Sequence, residues 1–76
     1  MKEILDVMVR NLVTNTEEIK IVQTEDENTI KLELQVAKED MGKIIGKSGK
    51  VIRSLRTVIK AAAVETKKRV LVELVE

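Results

Sequence analysis

Hydrophobic positions along the chain change period several times, and each change predicts an element. Ile4, Leu5, Met8, Val9, Leu12 and Val13 recur at i, i+1, i+4, i+5, i+8 and i+9, one face of a helix over about residues 2–14. Lys2, Glu3, Asp6, Arg10 and Asn11 take its polar side, and Asn15-Thr16 ends it. Ile19 to Thr24 is short and carries β-branched residues, which predicts a strand at a sheet edge. After the acidic turn Glu25-Asp26-Glu27-Asn28, alternation is strict: Ile30, Leu32, Leu34 and Val36 point one way, Lys31, Glu33 and Gln35 the other. The two strands read as a hairpin with one buried face.

Ala37 to Ile45 passes from polar to apolar. Asp40 is positioned to cap or begin a brief helix that brings Ile44 and Ile45 onto the core before Gly46 breaks it. From Lys50 the helical pattern is strongest. Val51, Ile52, Leu55, Val58, Ile59, Ala62 and Ala63 share a face, with Arg53, Arg56 and Lys60 on another. Lys67-Lys68-Arg69 ends this helix with the charge its dipole prefers, and Val70, Val72 and Leu74 alternate with Leu71, Glu73 and Val75 in a closing strand. The predicted order is α-β-β-α-α-β, with the helices on one face of a three-stranded sheet: an α+β two-layer domain over residues 1–76.

Composition narrows what such a domain can do. The 76 residues hold no aromatic, proline, cysteine or histidine, so the core is aliphatic, and disulfides and the usual zinc schemes are excluded. A chain of this size buries only about 60% of its unfolded surface, so a partner subunit would relieve marginal stability. Met1 to Asp6 has no long apolar run and no cleavage-type small residues. No signal peptide or membrane span is expected, and the absence of cysteine fits a cytoplasmic protein.

The net charge of +1 conceals a segregation. Residues 1–40 carry five basic against ten acidic side chains, a net −5; residues 41–69 carry nine basic side chains against Glu65 alone, a net +8. Inside that basic segment lies Ile44-Ile45-Gly46-Lys47-Ser48-Gly49-Lys50-Val51-Ile52. A tight glycine turn entering a helix N-terminus favours an anion, because backbone N–H groups are accessible and the dipole is positive there. A mononucleotide phosphate fails: Gly42-Lys43-Ile44-Ile45-Gly46-Lys47-Ser48 has three residues between its glycines where a phosphate loop has four. The segment before it is not a buried strand either. Ser48 has no base in its motif, and Glu25-Asp26-Glu27 reads as a solvated loop, so catalysis is not expected.

The remaining anion is a nucleic-acid backbone. Ile45-Gly46-Lys47-Ser48-Gly49-Lys50-Val51-Ile52 resembles the I-G-x-x-G-x-x-I signature of KH domains, whose GxxG loop clamps about four nucleotides. The element order resembles the type II form. With Gly42 to Gly46 leading in and Ile52-Arg53-Ser54-Leu55-Arg56-Thr57 leading out, the whole chain is similar to the KhpA (YlqC-like) family of small bacterial RNA-binding proteins. One departure is visible: relatives commonly carry proline where this chain reads Asn15-Thr16-Glu17.

The resemblance implies an RNA site in which Gly46 and Gly49 let the backbone approach phosphates. Lys47 and Ser48 offer a charge and a hydroxyl, and Lys43, Lys50 and Arg53 surround them. Ile44, Ile45 and Ile52 have two readings, packing the helices together or also flooring a groove for bases, with Leu34 to Val36 as its other wall. Without aromatic rings to stack bases, binding by one such site should be weak, salt-sensitive and loosely selective. Val58 to Val64 is apolar almost all round, which makes Val58, Ala61 and Ala62 candidates for a subunit interface. In the resembling family homodimers form, and a larger KH protein (KhpB, also called Jag or EloR) is a partner. No cofactor is implied. An alternative function is protein docking through the apolar helix, with RNA binding secondary.

Overall fold

Strict alternation makes residues 29–36 the centre of the sheet. In a computed structural model describing residues 1–75, β2 (Thr29–Gln35) lies between β1 (Lys20–Glu25) and β3 (Arg69–Leu74). β1 runs antiparallel to β2 with Ile21 opposite Leu34, and β3 runs parallel with Val72 opposite Leu32. Ile21, Ile30, Leu32, Leu34, Val70 and Val72 are buried on one face, and Val22 and Leu71 are exposed on the other. Against the buried face pack α1 (Lys2–Arg10), through Leu5 and Val9, and the short α2 (Met41–Ile45), through Ile44. The long α3 (Lys50–Ala62) adds Ile52, Leu55 and Ile59. The α+β two-layer order read from the pattern is the order observed.

The hairpin turn is built by its acid. The Asp26 carboxylate accepts from the N–H groups of Asn28 (2.8 Å) and Thr29 (2.7 Å), which holds its pKa below the ordinary carboxylate range.

Two boundaries differ from expectation. α1 stops at Arg10, although its apolar period continues through Leu12 and Val13. The N–H groups of Thr14 and Asn15, which a longer helix would need, instead donate to Asp40. At its other end α3 stops at Ala62 and not at the basic run. Thr66 Oγ1 donates to the Ala63 carbonyl (2.7 Å), Lys67 turns left-handed (φ 60°), and the chain enters β3 at Arg69. Lys68 pairs with Glu25 across the sheet end, so its charge is spent there and not on the helix terminus. Nor do Val58 and Ala62 join the core face: both are exposed, and Val58 keeps 46% of its surface.

Candidate nucleic-acid interface

Between α2 and α3 the chain reverses in four residues, three of which have positive φ: Gly46 (66°), Ser48 (54°) and Gly49 (76°). The two glycines are needed for different reasons. Gly46 combines φ 66° with ψ −173°, a region open essentially only to glycine, and a Cβ there would collide with the Val51 side chain and come within 3.0 Å of its backbone nitrogen. Gly49 is left-handed with open space around it, so only its backbone angle asks for glycine. Ser48 holds the same left-handed conformation with a Cβ, at a cost of about 1 kcal/mol or more. Neither Lys47 nor Ser48 commits its N–H to a backbone hydrogen bond, and both side chains are exposed. The turn therefore presents donor groups and a lysine outward, beside the open space at Gly49.

Around it the predicted residues divide. Lys50 and Arg53 extend the exposed positive surface along the first turns of α3, and with Lys47 they form no ion pair among the described residues. Lys43 faces elsewhere. Its ammonium donates to Thr14 Oγ1 and lies 3.4 Å from Asp40 Oδ1, behind the turn. The three isoleucines separate as well: Ile44 is fully buried and Ile52 nearly so, whereas Ile45 keeps 39% of its surface. Ile45 lines an open cleft of about 630 Å³ together with Met41, Val36, Ala37 and Val75, rimmed by Glu18, Gln35 and Lys38. Leu34 is fully buried in the core and does not reach this cleft, so the expected wall begins at Gln35.

Register adds an open edge. Arg69 donates to the Asn28 carbonyl just before β2 and Val75 to the Leu34 carbonyl within it, so Val70, Val72 and Leu74 turn their backbone groups away from the sheet. Of these, the Val72 carbonyl accepts from Arg56 Nε (3.0 Å), which ties α3 to the free edge of β3. Among the described residues no cluster of acids could hold a metal, and no helix is long and apolar enough to cross a membrane.

A GxxG turn joining two helices, on a sheet whose outer strand is parallel to the centre, defines a type II KH domain. The family model for the KhpA/KhpB KH domain matches residues 2–74, and the chain belongs to that family. The RNA-binding protein KhpA of Clostridium acetobutylicum is 48% identical over 75 residues, 99% of this chain and 100% of the relative. KhpA of Clostridium perfringens is 43% identical over the same coverage, and KhpA of Aquifex aeolicus is 36% identical over 100% of this chain and 96% of its own length. No solved structure matches the chain.

What the sequence reading missed is the support beneath the turn. Asp40 stands where α2 begins, as expected, but its fully buried carboxylate caps no N–H of that helix and instead accepts from the backbone N–H groups of Thr14 (3.1 Å) and Asn15 (3.0 Å). Asn15 Nδ2 reaches Asp40 Oδ2 and Glu39 Oε1 as well. These partners lie 25 and 26 residues away, where no local pattern could reveal them. The bonds from Asn15 and Thr14, then Lys43, hold the Asp40 carboxyl below its ordinary pKa. A carboxyl lowered on folding contributes stability above its unfolded pKa, and that contribution disappears as pH falls through the folded value.

Asp40→Asn cannot accept at both oxygens. It should lower the melting temperature at pH 7 by at least about 4 °C, and the gap to the parent should narrow progressively as pH falls below about 4, read by circular dichroism. Equal melting at pH 7 would show that the clamp adds nothing.

Proposed function

We propose that this chain is a non-catalytic RNA-binding protein that holds a short single-stranded segment by its backbone. The observation that carries the reading is the Gly46-Lys47-Ser48-Gly49 turn, which offers uncommitted N–H groups and a lysine on an exposed surface, with Lys50 and Arg53 beside it. Phosphates would lie against the turn, and bases would lie toward the apolar cleft around Ile45 and Met41, where no aromatic ring is present to stack on them. Lys43, turned to Asp40, would act by holding α2 and only at a distance by its charge. The names of the relatives as RNA-binding proteins support the same reading.

Replacing Lys47 and Ser48 together by Asp should weaken binding of a single-stranded oligonucleotide at least about tenfold, because it puts two negative charges where phosphates would lie. Asp tolerates the left-handed backbone of position 48, so the fold should survive and circular dichroism should be unchanged. Unaltered affinity in the folded variant would remove the turn from the site.

A single clamp of this kind is weak, and two on one particle raise apparent affinity. We assign the second copy to the other side of α3. There a groove of about 530 Å³ lies between the helices, with Met8, Leu12, Val51, Leu55 and Val58 as its apolar lining, Lys50 and Ser54 at its rim, and Ala61 and Ala62 exposed nearby. A homodimer through this face, or a pairing with a KhpB/Jag/EloR-type KH protein, would leave Lys47, Ser48 and Arg53 outside the groove, with Lys50 at the boundary between the two surfaces. It fits a cytoplasmic RNA chaperone or post-transcriptional regulator. Val58→Asp should shift sedimentation from dimer to monomer without changing the affinity of one site for a tetranucleotide. An unchanged sedimentation coefficient would place the interface elsewhere.

A further inference from the structure

Nine basic residues lie between positions 41 and 69, and three of them are engaged within the protein: Lys43 with Asp40, Arg56 with the Val72 carbonyl, and Lys68 with Glu25. The other six form no ion pair among the described residues, and they fall into two groups at opposite ends of α3. Lys47, Lys50 and Arg53 surround the glycine turn. Lys60, Lys67 and Arg69 stand at the far end, all exposed. Helix-dipole compensation accounts for a cation such as Lys60 near the C-terminus of α3. It does not account for Arg69, which belongs to β3.

Lys60 and Arg69 also share a cleft. It measures about 500 Å³, lies between the end of α3 and the start of β3, and has Ala63, Val64 and Val70 among its lining residues. The two ends are connected. Arg53 leads to Arg56 and Thr57 at three- and four-residue steps, and Thr57 and Arg56 lead to Lys60 at the same steps, which places the four along a single side of the helix. No acid occurs from Met41 to Val64. At a rise of about 1.5 Å per residue, Lys50 and Lys60 stand about 15 Å apart. At the stacked-strand spacing of about 3.4 Å per phosphate, that distance is about four phosphates.

We infer that the Lys60–Arg69 cleft is a second phosphate site for the same RNA strand. A segment held at Gly46–Gly49 would continue along the Arg53–Lys60 side of α3 and reach this cleft, where cations flank an apolar floor that a base can cover. The bound length then becomes about eight nucleotides, against the about four that a GxxG clamp holds alone. This inference rests on the RNA-binding reading of the glycine turn and deepens it.

The test compares a uridine tetranucleotide with a uridine decanucleotide, both fluorescently labelled, by anisotropy. The proteins are the parent, Lys60→Glu with Arg69→Glu, and the Lys47→Asp, Ser48→Asp variant. Positions 60 and 69 are exposed, so the fold should be retained, as circular dichroism would verify. The Lys60, Arg69 variant should bind the decanucleotide at least about tenfold more weakly while its tetranucleotide affinity stays within about twofold. Its salt slope on the decanucleotide should fall by about 1.4, at about 0.7 for each of two lost phosphate contacts. Because each oligonucleotide is compared between variants, the extra registers of the longer strand cancel. Unchanged decanucleotide affinity would overturn the second site. Equal weakening of both lengths would do the same, by reducing the effect to a long-range field. Failure of the underlying reading is distinguishable: the parent would bind neither oligonucleotide, or the Lys47, Ser48 variant would bind both as tightly as the parent.

Discussion

The glycine turn meets the hydrophobic core most tightly where Gly46 stands against Val51. Val51 belongs to the first turn of α3 and packs on the edge of the core, and its Cβ and backbone nitrogen, which no rotamer change can move, would stand 2.8 and 3.0 Å from a Cβ at position 46. Gly46 therefore has no room for a side chain, and its backbone takes an angle pair that essentially only glycine reaches. That close approach lets α2 end and α3 begin within four residues. It also turns the backbone of Lys47 and Ser48 outward. The exposed turn and the aliphatic core are thus joined through the same two residues, and the close approach of Val51 constrains the geometry of the turn.

A second restraint acts from the opposite side. Asp40 fixes the start of α2 to the loop after α1, using backbone donors that α1 gives up by ending early. Lys43, which sequence alone placed in the RNA site, completes this clamp. Charge is accordingly divided by task. Cations paired within the fold hold elements together at Asp40, Val72 and Glu25, and those in the second half of the chain that form no ion pair among the described residues lie along α3 and at its two ends. The modest net charge of +1 hides this division, because most acids lie in the first half of the chain.

Much of this was legible in the sequence, where the cause is local. Alternation at Ile30, Leu32, Leu34 and Val36 located the central strand because one face of a sheet imposes a period of two. The glycine spacing located the turn because backbone angles are a property of the residue itself. The family signature, carried by the same residues, matches the family that residues 2–74 belong to. What escaped depends on partners distant in sequence. Apolar period alone extended α1 to Val13, but Asp40 competes for the N–H groups beyond it. The basic run suggested a helix end, while Thr66 and Lys67 perform the reversal earlier. Val58 and Ala62 fit the helical stripe of the core, yet both remain on the surface, Val58 in the open groove between α1 and α3.

Amide chemical shifts of the isotopically labelled protein, followed by NMR as a single-stranded RNA is added, test the central claim most directly. The account predicts that the largest changes fall at Ile45 to Lys50 and Arg53, with smaller ones at Met41 and Val75 in the adjoining cleft. Signals of Leu12 and Val58, on the far side of α3, should remain in place. Saturable shifts confined to the α1–α3 groove, with Gly46 to Gly49 unmoved, would contradict it.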